Sequence, residues 1–247
     1  MNIQKKLFSE NKSRYRSGCI VDDYMNEYYH KLRTKKAIHL ITDGLSNTFN
    51  YLNINEVEIL EIAGADGYVS SKLSAMGYST LLTDCEMIPL EKARQKNPLI
   101  KTLVMDASKK FPFEDNTFHV IYAGDIIEHL FDTSLFLTEI YRCLVPNGIF
   151  VLTTPNLASL EDRIGFLFGK SPRQVNPTHE FIYLHIRPFT YSKLRDIMES
   201  LGFGDFKLTT NLIRIKLGKF RKDLYMLAEH FPSLGRSLII SAKANKE

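Results

Sequence analysis

Four acidic side chains stand where short apolar runs end: Glu61 after VEIL, Asp84 after STLLT, Asp106 after LIKTLVM and Asp125 after FHVIYAG. From Glu61 to Gly67 the chain reads Glu61-Ile62-Ala63-Gly64-Ala65-Asp66-Gly67, a turn of small residues leading into a helix-like stretch. Small residues let a backbone come close to a ligand, and the start of the following helix offers N–H groups to it. Asp84 follows about 20 residues later, the usual distance from a glycine-rich turn to a carboxylate that binds a ribose diol. A carboxylate suits a diol because it accepts two hydrogen bonds at once. Asp106, with Ala107 behind it, is suited to accept from an adenine amino group. Taken singly each signal is weak, because a small-residue turn is often only a turn and an acidic strand end only a helix cap. Their ordered co-occurrence carries the weight.

Histidines supply the second kind of chemistry. His129 follows Glu128 just beyond the fourth apolar run, and a ring that titrates near neutrality suits proton removal from an acceptor. Otherwise it positions the helix or the acceptor. His179 and His185 flank an aromatic stretch, EFIYLHIRPF, where a lid could bring either over a site; the plainer reading is a packed lid histidine. His30 is given no role. Arg163, Lys170, Arg173 and Arg187 are interleaved with Phe166, Phe168, Phe181, Tyr183 and Phe189. Aromatic faces beside arginines suit a sugar, a nucleotide-sugar or another anionic acceptor, and equally suit an ordinary packed lid.

Other chemistries find no support. Cys19, Cys85 and Cys143 are scattered without a CxxC pair, and HExxH is absent, so neither a disulfide framework nor a metal site is expected. GxSxG is absent, and Gly64 and Gly67 are spaced only as the last two glycines of GxGxxG, which disfavours a dinucleotide site.

The elements that must hold these residues can be read from pattern. VEILEIA is a short apolar run, as expected of a strand buried on both faces, and STLLTD, LIKTLVMD, FHVIYAGD and NGIFVLTTPN read as the strands that follow it. SSKLSAMGY, EMIPLEKARQ and TSLFLTEIYRCL alternate with them as helices, the first stopped at Gly77. This rhythm predicts a doubly wound, mostly parallel α/β sheet. Residues 157–189 break the rhythm as an insertion or lid. TYSKLRDIMESLGF is a helix ending at Gly202, and FGDFKLTTNLIRI and RSLIISAKA are two late strands, antiparallel to each other, with RKDLYMLAEHF helical between them. Ahead of the sheet, residues 1–18 read as a loose arm. Residues 20–51, with Tyr24, Tyr28, Leu32, Ile38, Ile41, Leu45 and Phe49, read as two helices. The expected division is an N-terminal arm with helices, 1–55, and a ligand-binding domain, 56–247.

With 247 residues, 44% hydrophobic and 24% charged, the composition is that of a globular protein. No run is long and apolar enough to span a bilayer, the start MNIQKKLFSENKSRYRSG lacks a signal-peptide core, and reduced cysteines fit a cytoplasmic protein. Charge is uneven: +4 over residues 1–55, −5 over 56–204 and +5 over 205–247. The acidic middle and the lack of an attached RNA-binding module speak against nucleic acid. The basic, amphipathic NLIRIKLGKFRKDLYMLAEHF leaves room for peripheral membrane contact, although a covering surface element explains it more simply.

The most specific passage is FPFEDNTFHVIYAGDIIEHLFDTSLFLTEIYRCLVPNGIFVLTTPN. Together with the turn, the stretch from Glu56 to Asn156 resembles the class I S-adenosylmethionine-dependent methyltransferases of the ubiquinone/menaquinone-biosynthesis and glycan-modifying group. HIRPFT and ESLGF further on are also similar. The resemblance implies a seven-stranded Rossmann-like methyltransferase fold, S-adenosylmethionine as cofactor with S-adenosylhomocysteine as product, and methyl transfer to an oxygen or nitrogen of a small molecule or of a glycan or lipid-linked intermediate. It places Glu61 near the methionine amino group and Ala63, Gly64, Ala65 and Gly67 under the methionine moiety. Asp84 then holds the ribose, with Cys85 and Glu86 beside it, and Asp106 and Ala107 border adenine. Asp125 and the Glu128–His129 pair lie near the sulfonium and the acceptor, which makes Asp125 and His129 the candidate catalytic residues. The chain departs from the group's pattern at Ala63 and Ala65, where glycine is usual, at His119 in place of aspartate and at Asn147 in place of glycine. If the turn needs positive φ, alanine costs roughly 1 kcal/mol or more there. A catalytically silent protein serving as a binding or structural partner is the alternative.

Overall fold

The structure, a computed structural model, describes residues 28–176, 184–217 and 220–246. The arm at 1–18, Cys19, Tyr24, His179, Phe181 and Tyr183 lie outside the described residues.

Strands β1 (Glu58–Ile62), β2 (Ser79–Asp84), β3 (Lys101–Val104), β4 (Phe118–Gly124), β5 (Leu144–Pro155), β6 (Phe203–Thr209) and β9 (Ser237–Ala244) form a seven-stranded sheet in the order β3-β2-β1-β4-β5-β9-β6. The first five run parallel, and β9 inserts antiparallel between β5 and β6. Period two explains the continuous apolar runs. Ile59, Val120, Tyr122, Ile149, Val151 and Ile239 point to one face. Leu60, Ile62, Ile121, Ala123, Phe150, Leu152 and Ile240 point to the other. The first face is covered by α1 (Tyr28–Thr48) through Ala37, Ile41 and Leu45, and by α2 (Tyr68–Ser74) through Val69 and Leu73. The second is covered by α4 (Thr133–Cys143) through Phe136, Leu137 and Ile140, and by α6 (Tyr191–Ser200) through Leu194 and Met198. Helix α3 (Met87–Lys96) closes on β2 with Leu90 and Ala93 against Leu82 and Ile100.

The parallel, doubly wound sheet expected from the sequence is present, and three local expectations are corrected. The spacing read as two helices over 20–51 is one continuous helix, α1, within the described part, because Ile38, Ile41 and Leu45 continue the turn begun at Tyr28. The long late strand divides. It breaks at Thr210 and Asn211, where the Thr210 hydroxyl donates to the Ser237 carbonyl and the Asn211 side-chain oxygen accepts the Leu212 N–H. The chain then leaves the sheet as β7 (Ile213–Leu217), which pairs with β8 (Phe220–Leu224) as a separate hairpin. Residues 221–224, read as helix, are therefore strand, pinned by a two-pronged ion pair of Arg214 with Asp223 at 2.5 and 2.7 Å. Only α7 (Tyr225–His230) is helical there. The interval 157–189 carries α5 (Leu160–Leu167) and a 3-10 turn at Arg173–Val175.

Two of the sequence departures have structural explanations. The His119 ring nitrogen Nδ1 accepts the Glu58 N–H at 3.1 Å, tying β4 to the start of β1. Asn147 stands at φ 60°, within reach of asparagine at a left-handed position. The motif residue Arg142 is structural. It bonds Glu139, Asp115 and the carbonyls of Phe111 and Phe113, fastening the FPF segment to α4.

Candidate active site

In a doubly wound sheet the ligand crevice opens where strand order reverses, at the carboxyl ends of the strands. Here that point lies between β1 and β4, and Glu61, Asp84 and Asp125 all lie at strand ends there. Asp106 lies two residues past the end of β3.

The turn after β1 is held from both sides. Glu61 is 3% exposed, and its Oε2 accepts the N–H and the hydroxyl of Ser70 at 2.7 and 2.5 Å, so it caps the first turn of α2. Burial pushes its carboxyl up to about 7, against the usual 4.5, with the Ser70 bonds opposing. Ala63 and Ala65 have φ of 54° and 50°, and Gly67 has φ 71°. Both alanines thus occupy the left-handed conformation for which glycine is the usual residue. Gly64 between them admits no side chain, since an added Cβ would come within 2.4 Å of Glu61 Cδ. Asp84, 2% exposed, spans the crevice: Oδ2 accepts the Ala65 N–H and Oδ1 the Glu86 N–H, each at 3.1 Å. Its carboxyl is pushed up to about 6, chiefly by burial.

The remaining ligand-side residues border this crevice. Burial and the neighbouring carboxylates raise the Cys85 thiol, so it stays protonated. For Asp106, burial acts upward, but hydrogen bonds from the Ser108 N–H and hydroxyl and from Lys109 outweigh it and hold the carboxyl below its usual value. Ala107 is buried behind it.

Beyond β4 the backbone turns through Asp125 at φ 50°. The Asp125 N–H donates to the Thr153 carbonyl at 2.8 Å, and Oδ1 accepts the Thr153 hydroxyl at 3.0 Å. Oδ2 is ion-paired with Arg33 of α1. The ion pair and the Thr153 bonds hold this carboxylate in place. Glu128, 1% exposed, accepts the Thr154 hydroxyl at 2.9 Å through Oε2. Its carbonyl takes the N–H groups of Ile186 and Arg187, docking the segment after the insertion. Burial raises its carboxyl, and the charge of Asp125 adds to that. His129 is partly exposed; its Nδ1 donates to the Leu184 carbonyl at 3.1 Å, and its ring meets that of His185 edge-on at 4.9 Å.

The structure therefore brings Glu61, the 63–67 turn, Asp84 and Cys85 to one side of the crevice and Asp125, Glu128 and His129 to the other. Sequence reasoning missed Arg33, which lies on α1 far from any motif. It also missed Arg236, half-buried near it: Arg33 and Arg236 both lie over the Tyr29 ring, with Cζ 5.9 and 5.3 Å from its centre. Burial, then the charge of Arg173, lowers the Arg236 guanidinium below its ordinary value. The Nε atoms of Arg173 and Arg236 make no hydrogen bond among the described residues. No local spacing announces this cluster, because its members meet only through the tertiary fold.

Residues 60–152 match the family described as methyltransferase domain. A Mycolicibacterium smegmatis protein named "Probable S-adenosylmethionine-dependent methyltransferase" is 26% identical over 146 residues, 59% of this chain and 51% of that protein. The chain thus spans about half the length of that relative. The ubiquinone biosynthesis O-methyltransferase of Rickettsia prowazekii is 22% identical over 178 residues, 66% of this chain and 70% of that one. In fold, an S-adenosylmethionine-dependent methyltransferase of Thermotoga maritima aligns with TM-score 0.63 at 17% identity, covering 97% of this chain and 99% of that one.

Proposed function

We propose, from the match of residues 60–152 to the methyltransferase domain family, that this chain binds S-adenosylmethionine in the crevice between β1 and β4 and transfers its methyl group to an oxygen or nitrogen of a small, anionic acceptor. The observation that carries the reading is the 63–67 turn: two alanines hold left-handed φ at the carboxyl end of β1, clamped by Asp84. A chain that keeps this backbone without the glycines that make it easy retains the turn for what the turn does.

The residues present fit the cofactor. In this reading the backbone of Ala63, Gly64, Ala65 and Gly67 faces the methionine moiety, with Glu61 fixing the start of α2 behind it. Each Asp84 oxygen accepts a single N–H, and a carboxylate oxygen has a second lone pair for a ribose hydroxyl. In this reading Asp106 and Ala107 border adenine, with Cys85 beside the ribose. The cofactor supplies an activated methyl on a sulfonium, so no covalent nucleophile is required of the protein.

What the chain must do is align and shield. Arg33 fixes Asp125, Asp125 fixes the turn after β4, and that turn carries Glu128 and His129 to the acceptor side. An acceptor oxygen forms its bond to the methyl carbon as the carbon–sulfur bond breaks, which demands a linear approach and exclusion of water. His129 and its neighbours, rather than Asp125, face the acceptor. Arg173 and Arg236, half-buried beside the Arg33–Asp125 pair, favour an acceptor bearing a carboxylate or phosphate, in line with a glycan or lipid-linked intermediate or an acidic phenol. Peripheral membrane contact is compatible with this reading; no helix among the described residues is long and apolar enough to cross a membrane.

The test is methyl transfer from radiolabelled S-adenosylmethionine to a panel of phenolic acids, sugar phosphates and their neutral analogues. Labelling of anionic members, lost in Arg236→Met, supports the reading. Equal labelling of the neutral analogues overturns the anionic acceptor, and labelling of none overturns small-molecule transfer for this panel's chemistry.

A further inference from the structure

One cluster at the acceptor end has a composition that proton transfer alone does not explain. Glu128 and His129 follow β4, His185 comes from beyond the insertion, and one potential ligand atom of each lies within 4.8 Å of the other two. The Glu128 Oε1 to His129 Nε2 distance is 4.0 Å, too long for a hydrogen bond.

The protonation pattern of the rings is fixed by their partners. His129 Nδ1 donates to the Leu184 carbonyl at 3.1 Å, and His185 Nδ1 donates to the side-chain oxygen of Gln174 at 3.0 Å. Gln174 is itself 1% exposed, so it is a built partner rather than a surface accident. A neutral histidine that donates through Nδ1 carries its lone pair on Nε2. Metal-binding histidines are held in this way, with the other ring nitrogen donating to a carbonyl or carboxylate.

The carboxylate completes the pattern. Glu128 Oε1 is buried and has no hydrogen-bond partner among the described residues, while Oε2 is taken by Thr154. A buried carboxylate oxygen without a donor is costly. Asp125 lies nearby, ion-paired with Arg33. Acceptor atoms from three side chains therefore converge in one place.

We propose that Glu128, His129 and His185 bind one divalent transition-metal cation. Two imidazoles and one carboxylate, with remaining positions open, suit Zn²⁺, Mn²⁺, Fe²⁺ or Co²⁺ better than Ca²⁺, which takes oxygen ligands. No metal motif is visible along the chain because His185 lies 56 residues from His129. In the proposed methyl transfer, on which this role rests, the cation polarises the acceptor hydroxyl and eases loss of its proton to solvent. His129 then acts as a ligand, not as the base expected from its position in the sequence.

Cation binding can be measured without cofactor or acceptor, so its outcome is separate from that of methyl transfer. The full chain is stripped with chelator and titrated with Co²⁺, following visible absorbance, and then with Zn²⁺ in competition. His185→Ala and Glu128→Gln are titrated alongside His230→Ala, which lies on α7 away from the cluster, and circular dichroism confirms the fold of each. The expected result is one equivalent of Co²⁺, displaced by Zn²⁺, with affinity at least tenfold weaker in His185→Ala and Glu128→Gln and unchanged in His230→Ala. No saturable binding by folded protein at millimolar Co²⁺, or binding equally strong in both cluster variants, overturns the proposal.

Discussion

Arg33, in the first helix of the described chain, is ion-paired with Asp125, at the carboxyl end of β4. The pair joins an element outside the matched methyltransferase region to the centre of the candidate site. Both side chains are largely buried, at 6% and 18% exposure. Removing the cation from a buried pair typically costs about 3 kcal/mol, because the carboxylate is left behind. Arg33→Met should lower stability toward urea by that order, and adding Asp125→Asn should restore part of it. Additive losses in this double-mutant cycle would show that the pair does not couple.

Ala63 and Ala65 lead to a gain rather than a loss. Each holds left-handed φ, where an L side chain costs about 1 kcal/mol. Ala63→Gly and Ala65→Gly should each stabilise the chain by up to that amount, reduced by the greater freedom of glycine in the unfolded state. Denaturation midpoints check this, and a lowered midpoint in both variants would show that the methyl groups contribute packing that outweighs the strain.

Glu61 sets a pH dependence. Its folded value near 7 lies above the usual 4.5, so the folded chain holds this proton more tightly than the unfolded one. The resulting stabilisation is complete below about pH 4.5 and is lost as pH rises through about 7. At about 1.4 kcal/mol per unit, the change is on the order of 3 kcal/mol. Asp84, raised to about 6 from 3.8, acts in the same direction at lower pH. The melting temperature should therefore fall between about pH 5 and pH 7.5, and the fall should be smaller in Glu61→Gln, which still accepts from Ser70. Parallel profiles for the two proteins would remove Glu61 as the cause.

Asp84→Asn tests the clamp on the turn. An amide offers one accepting oxygen where the carboxylate has two, so either the Ala65 or the Glu86 N–H loses its partner. Affinity for S-adenosylmethionine should fall at least tenfold while the far-ultraviolet spectrum is kept. Unchanged affinity would mean that Asp84 serves the turn without touching the cofactor.

Much of the sheet was legible because strands buried on both faces leave continuous apolar runs such as VEIL and VIYA, and each ends on a polar residue at the crevice. The turn was legible for the same reason, down to the concern about positive φ at Ala63 and Ala65. The β7–β8 hairpin was not, since Arg221, Lys222 and Asp223 have no strand-like pattern and are held by the Arg214–Asp223 pair, a contact that sequence spacing does not reveal. On the acceptor side Arg33, Gln174 and Arg236 were not legible either, because they are separated along the chain and acquire meaning only where the fold brings them together.

In the proposed function the turn at Ala63–Gly67 and the Asp84 carboxylate form a working cofactor site. Calorimetric titration of the purified chain with S-adenosylmethionine and S-adenosylhomocysteine, with NAD as control, tests it most directly. Saturable binding of the first two at one site per chain, with no heat from NAD, is the expected result. No binding at millimolar cofactor by a folded protein would contradict it and identify the alanine-bearing turn as a fold relic without a ligand.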